Sequence, residues 1–245
     1  MQTVLSIDHG NSSVKMHLYR DGELVSSLRS ERAEATAVAE AVSGYGDFGI
    51  IYCAVGRVDN IFLEELALAY PGRTLVMDSA TPLPIGIGYR SRATLGLDRV
   101  AAAVGAHRLY GGERLLVADA GTAMTLDIVE SDGTFAGGNI SAGIGLRLKS
   151  LHQFTARLPL VETDGDLPRY GYDTATAIRC GAVDGALGEL IWLAEREDCH
   201  RIILTGGDAP LLEERLKKET NIPAIRRDDL VSQGLLRIYE YNETN

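Results

Sequence analysis

Apolar residues fall along the chain in alternating and helical runs, and the order of those runs repeats. The segment TVLSIDHGNSSVKMHLYRDGELV (3–25) aligns without gaps with RLLVADAGTAMTLDIVESDGTFA (114–136). Each copy opens with an apolar strand, turns at Asp-x-Gly-(Asn/Thr)-(Ser/Ala), continues as an alternating strand and reaches a hairpin signal, at Asp21-Gly22 or Asp132-Gly133. Few positions are identical, as in two ordinary hairpins that match by coincidence. Here both pairs of turns fall at one offset, which favours duplication over coincidence. Helical periodicity covers AEATAVAEAVSGY (33–45), NIFLEELALAY (60–70), LDRVAAAVGAHRLYG (97–111), TATAIRCGAVDGALGELIWLAERE (174–197) and PLLEERLKKE (210–219). The short apolar runs GIIYCAV (49–55), TLVMD (74–78) and RIILTGG (201–207) read as buried strands, and Trp192 with its neighbours as core. Strands first, then alternating strand and helix, in each half, predicts two α/β domains sharing a cleft. The seam falls near Gly111-Gly112, giving domains 1–112 and 113–245.

Composition narrows the class. A chain of 245 residues, 45% hydrophobic and 24% charged, has material for one large core or two small ones. The net charge of -10 would repel a phosphate backbone, so no nucleic-acid or anionic-membrane partner is expected. Cys53, Cys180 and Cys199 form neither a disulfide framework nor a zinc cluster, and a reducing cytoplasm fits them best. The N-terminus lacks a basic region and meets Asp8 early, so no export signal is expected, and no apolar run reaches membrane-spanning length.

Glycine turns carry the first candidate chemistry. In the Asp8-His9-Gly10-Asn11-Ser12 turn, Gly10 allows close approach to a ligand, while backbone N–H groups and the Asn11 and Ser12 side chains can donate to phosphate oxygens. Asp8 at a strand end suits the water shell of a magnesium ion, and Lys15 supplies a point charge. Plain turn chemistry explains one such sequence equally well. The second copy, Asp119-Ala120-Gly121-Thr122-Ala123, points instead to two loops holding a polyphosphate. Thr205-Gly206-Gly207-Asp208 opens a helix and reads either as a further anion site or as a simple strand-to-helix turn. Gly143-Ile144-Gly145 reads as glycines that let a strand and a helix pack closely. Neither a P-loop nor a dinucleotide fingerprint is present, and the histidines show no metal-ligand spacing. Leu95-Gly96-Leu97-Asp98-Arg99 leads into an alanine-rich helix, with Asp98 at or near the N-cap. Asp98 can be a capping residue there. The same place suits a carboxylate base for a substrate hydroxyl, with Arg99 binding a carboxylate or phosphate.

These residues together resemble the type III pantothenate kinase family, of the acetate and sugar kinase, heat-shock chaperone and actin superfamily. The resemblance rests on Asp8 to Ser12 with Lys15, Thr81-Pro82-Leu83-Pro84-Ile85, Tyr89, Gly96 to Arg99, Asp119 to Thr125, Gly137-Gly138-Asn139-Ile140, Asp173-Thr174 and Thr205 to Asp208. It implies an α/β fold of two ribonuclease-H-like (actin-like ATPase) domains, a homodimer, and ATP-dependent phosphorylation of pantothenate to 4'-phosphopantothenate, the first step to coenzyme A. It further implies that Asp8, His9, Gly10, Asn11, Ser12, Ser13, Lys15 and Thr122 contact ATP, with Asp8 reaching Mg2+ through water. Asp98 becomes the general base, and Tyr89, Gly96, Leu97, Asp98, Arg99 and Thr174 become pantothenate contacts. Asp119 becomes the ligand of a monovalent cation, K+ or NH4+. Three positions depart from the family pattern: Arg92 and Ala142 stand where prolines are usual, and His9 replaces an apolar residue. The superfamily also includes chaperones, filaments and regulatory accessory factors. Asp98, Arg99 and Tyr89 argue for an enzyme, because a binding protein has no need of a base beside a hydroxyl pocket. A phosphatase-like hydrolase is the weaker alternative, distinguished by ATP turnover without an alcohol acceptor.

Overall fold

The computed structural model describes residues 2–11, 13–56 and 58–244, so Ser12 of the Asp8–Ser12 turn lies outside the described residues. The chain forms two compact units. The first comprises Met1–Gly111, Gly133–Phe135 and Asp229–Asn245, the second Gly112–Asp132 and Ala136–Asp228.

The first unit is built on strands β1 (Thr3–His9), β2 (Val14–Arg20), β3 (Glu23–Ser30), β4 (Gly49–Ala54) and β5 (Thr74–Val76), in the order β3-β2-β1-β4-β5. β1 to β3 form an antiparallel meander, and β4 and β5 extend it in parallel with β1. Asp21 and Gly22 join β2 to β3 with φ of 52 and 85°, the pair of positive values that a two-residue hairpin turn matching strand twist requires. Register places Asp8 opposite both Lys15 and Cys53, so these three share a face. The other face carries Leu5, Ile7, Met16 and Leu18, packed with Phe62 and Leu66 of α2 (Asn60–Ala69) and with Val38 of α1 (Ala35–Ala41).

The second unit repeats this plan. Its strands are β6 (Leu115–Ala120), β7 (Ala123–Val129), β8 (Phe135–Ala142), β9 (Arg201–Thr205) and β10 (Ala224–Arg226), in the order β10-β9-β6-β7-β8. Position for position this is the order of the first sheet, with β6 in the place of β1. The duplicated hairpins therefore open two copies of one mixed α/β sheet. A core of Leu116, Ala118, Leu126, Ile202 and Leu204 packs against Val183, Ala186 and Leu190 of α5 (Thr174–Arg196) and Leu212 of α6 (Ala209–Glu219).

Helix α3 (Leu97–Tyr110) buries Ala101, Ala102, Ala103 and Ala106, and its partner is α7 (Leu230–Glu243). The two backbones touch through glycine. A Cβ on Gly105 would collide with the Leu230 carbonyl, and one on Gly234 with the Ala101 carbonyl. The helical runs read from the sequence leave out α7 and α4 (Ile144–Phe154). α7 carries a helical apolar stripe of Leu230, Val231, Leu235, Ile238 and Tyr239 that is buried throughout, whereas α4 buries only Ile144 and Leu148. α7 also belongs to the first unit, which a single division at Gly112 does not provide for. Trp192, read as core, is 54% exposed and stacks under the Arg196 guanidinium at 4.3 Å.

Candidate active site

The β1–β2 turn is closed by the Gly10 N–H donating to the Ser13 carbonyl at 3.0 Å. Asn11 is exposed beyond it, and the Ser13 hydroxyl accepts from Arg29 Nε at 3.2 Å. Asp8 is 9% exposed at the strand end, on the face it shares with Lys15 and Cys53. His9 lies on the opposite face, where its Nδ1 pairs with the buried Tyr52 hydroxyl at 2.8 Å and its ring meets that of Tyr52 edge-on. The imidazole is thus part of the α2 side of the sheet, away from Asp8. Burial raises the pKa of the Tyr52 hydroxyl, which keeps it a neutral partner for His9.

Asp98 is not the N-cap of α3. Gly96 occupies that position without a side-chain cap, and Asp98 is the second helical residue, its Oδ1 accepting from the Arg99 N–H at 2.8 Å. A Cβ on Gly96 would lie 2.6 Å from Asp98 Oδ1, so glycine leaves room for this carboxylate to turn back over the helix start. Burial drives the Cys53 thiol well above its ordinary pKa, and the charges of Asp8 and then Asp98 drive it further. The charges of both carboxylates thus act on one buried thiol. The fold has brought together residues from β1, β4 and α3 that the sequence separates widely.

Arg99 is buried, with its guanidinium 5.8 Å from the Tyr89 ring centroid and 5.6 Å from that of Phe135. Arg92, at one position of departure, donates from Nη2 to the Thr81 carbonyl at 3.1 Å, tying the segment before α3 to the 78–81 turn. Leu97 and Arg92 also line a small, largely apolar pocket with Met77, Leu83 and Leu95.

In the second unit, three turns interlock around Asp119. Gly206, at φ +93, would place a Cβ 2.5 Å from Asp119 Oδ1, so only glycine permits the β9–α6 turn to pass this close. The Asp208 N–H donates to the Ala120 carbonyl at 2.9 Å, and the Gly143 N–H to the Thr122 carbonyl at 3.0 Å. A Cβ on Gly143 would collide with the Gly121 carbonyl, so this glycine does permit the close packing expected of it. The Asp208 carboxylate does not cap its own helix; it accepts from the Ile144 N–H at the start of α4. Its pKa is raised, burial outweighing that hydrogen bond. At the other departure, Arg147 Nε holds the Ala142 carbonyl at 2.8 Å while its Nη2 pairs with Glu189 at 2.7 Å. Thr122 and Thr174 are both exposed, Thr174 being the first residue of α5 behind an Asp173/Thr176 capping box.

Sequence reading missed two contributors. Phe135 belongs to a stretch that reads only as the end of a hairpin. The use of Asp208 as a cap for α4 is invisible without α4 itself. Among the described residues no group of three or more His, Cys, Asp or Glu side chains could hold a metal, and no helix is long and apolar enough to cross a membrane.

A family model described as type III pantothenate kinase matches residues 4–196. A type III pantothenate kinase from Porphyromonas gingivalis is 39% identical over 245 residues, covering 97% of this chain and 98% of its own. One from Bacteroides fragilis is 37% identical over 242 residues, covering 97% and 98%. Among solved structures, the activator of 2-hydroxyisocaproyl-CoA dehydratase from Clostridium difficile, with bound ADPNP, superposes with a TM-score of 0.60 over 99% of this chain and 97% of its own. At 12% identity that likeness concerns the fold alone.

Proposed function

Because the chain belongs to the type III pantothenate kinase family and is an ATP-dependent pantothenate kinase of coenzyme A biosynthesis, we propose that Asp98 is the base that takes the proton of the substrate's primary hydroxyl. The place of Asp98 at the start of α3, beside the buried Arg99 of the same motif, carries this reading. Asp98 accepts the hydroxyl proton as the alcohol oxygen bonds to the γ-phosphorus. The bond from that phosphorus to the β,γ-bridging oxygen breaks, and ADP leaves beside 4'-phosphopantothenate. Such transfer depends on positioning and charge neutralisation. Tyr89, Gly96, Leu97 and Thr174 hold pantothenate, and the Arg99 guanidinium meets its carboxylate. Loss of turnover with retained nucleotide binding in Asp98→Asn tests the assignment of the base.

ATP phosphates meet Asp8, His9, Gly10, Asn11, Ser12, Ser13 and Lys15 in one loop and Thr122 in the other, His9 through its backbone because its side chain is engaged with Tyr52. The donor set suits Mg2+, which takes one or two carboxylates and keeps most of its water: Asp8 holds it through water with Asp98 nearby. When bound, the ion neutralises phosphate charge. Asp119 is the ligand of K+ or NH4+. With Asp208 close to the same turn, negative charge at this place would oppose a triphosphate by about 4 kcal/mol per pair at 4 Å for an effective dielectric of 20, and a monovalent cation offsets it.

Calorimetric titration with MgATP in matched potassium and sodium buffers reads these assignments together. Asp8→Ala and Thr122→Val should each weaken binding about tenfold, the loss of one charge-linked contact. The parent should bind more tightly in potassium, and Asp119→Asn should erase that difference. Loop variants that bind like the parent, or equal affinities in the two salts, would refute the corresponding site.

The reading also includes a homodimer in the cytoplasm. The apolar stripe of α5 is mostly intradomain core, since Ala186, Leu187, Leu190 and Leu193 are buried. Phe154, Tyr170, Tyr172 and Trp192 of the second unit are left exposed, which gives a second copy apolar surface to cover. Sedimentation velocity should show a dimer at assay concentration; a fully active monomer would exclude it. All three cysteines are free and buried, in keeping with a reducing compartment.

A further inference from the structure

Phe135 is fully buried, and both its main chain and its ring meet the segment that carries Tyr89. Its N–H donates to the Gly86 carbonyl at 2.8 Å, its carbonyl accepts from the Gly88 N–H at 2.9 Å, and it forms a parallel bridge with Ile87. The strand leading to Tyr89 is thus pinned on both sides by one residue. The ring continues the arrangement: it meets the Tyr89 ring edge-on at 6.0 Å and lies 5.6 Å from the Arg99 guanidinium. Gly133–Phe135 belongs to the first unit although the residues on either side belong to the second. This short segment is accordingly one of two parts of the chain's second half, with α7, that join the unit holding Tyr89 and Arg99.

We propose that Phe135 is a positioning residue for pantothenate, setting Arg99 against a pair of rings that meet edge-on and holding Tyr89 at the place where the pair meets the substrate. The inference rests on the reading that Arg99 and Tyr89 bind pantothenate. A cation near two aromatic rings is attracted by both, and removing one ring widens the range of positions open to the guanidinium. The carboxylate it should meet is then bound less well, whereas the phosphate loops are untouched.

Steady-state kinetics of the full chain with each substrate varied in turn provides the test, using Phe135→Leu, Phe135→Tyr and Arg99→Met. Phe135→Leu keeps the main-chain bonds and most of the apolar volume but removes the ring. It should raise the pantothenate KM about tenfold, with kcat and the ATP KM within about twofold of the parent. Phe135→Tyr, which restores a ring, should return the pantothenate KM towards the parent value. Should the leucine variant fail to fold, Phe135→Met carries the same expectation. A lower melting temperature with neither KM changed, or both KM values raised alike, would reduce Phe135 to a core residue and overturn the proposal. If Arg99→Met leaves the pantothenate KM unchanged, the underlying reading of Arg99 fails. If Arg99→Met raises it and Phe135→Leu does not, only the positioning role fails.

Discussion

Asp98→Asn should lower kcat by about 10²–10⁴-fold, the usual contribution of a positioned base, while MgATP binds within about twofold of the parent affinity. The amide is nearly isosteric with the carboxylate. It retains an oxygen for the Arg99 N–H, so the start of α3 keeps the hydrogen bond that Asp98 makes there. It also keeps the space that Gly96 leaves for it. What it loses is the ability to accept a hydroxyl proton at neutral pH. A coupled ADP-release assay gives turnover, and calorimetry gives nucleotide affinity. Undiminished turnover would remove Asp98 from the role of base. A parallel loss of nucleotide binding would place it among the groups that hold the metal.

Gly234→Ala should destabilise the first unit by about 3 kcal/mol, the upper range for overpacking a close contact. For a chain of this size that corresponds to a fall in melting temperature of about 6–12 °C. The cause is local and rigid: the added Cβ would collide with the Ala101 main-chain carbonyl of α3, which cannot move away as the end of a flexible side chain could. Asp98 and Arg99 lie within one turn of Ala101 on α3, so shifting the helix there also disturbs the site. Gly188→Ala in α5 is the matched control. A Cβ there meets nothing within 4 Å, and alanine should gain about 0.5–1 kcal/mol through helix propensity. Thermal unfolding followed by circular dichroism compares the two. Equal responses would mean that helix propensity alone, and no glycine-mediated contact between α3 and α7, sets the stability at Gly234.

Much of this was legible without coordinates because its cause is local or repeated. The alignment of residues 3–25 with 114–136 anticipates two sheets of one strand order, since a duplicated hairpin imposes the same pairing twice. Asp21-Gly22 announces a hairpin because few other residue pairs tolerate two positive φ values. The motifs around Asp8, Asp98, Asp119 and Thr205 to Asp208 are contiguous in sequence, so the family and its activity could be read from them. Tertiary structure decided how those motifs are used. Periodicity records which residues of an element are apolar; it does not record which other element they meet. α7 joins the first unit through Gly234, a residue with no side chain to enter a hydrophobic pattern. Strand alternation turns His9 away from Asp8 and towards Tyr52, although the two are adjacent in sequence. Asp98 becomes the second residue of α3, below a glycine cap, because the helix begins where Gly96 can pass the carboxylate. Asp8 with Cys53, and Phe135 with Arg99, are brought together by pairings between distant segments. Such contacts are made only when the chain folds as a whole, because the energy that selects them comes from burial and shape at the meeting surfaces, to which neighbours in sequence contribute little.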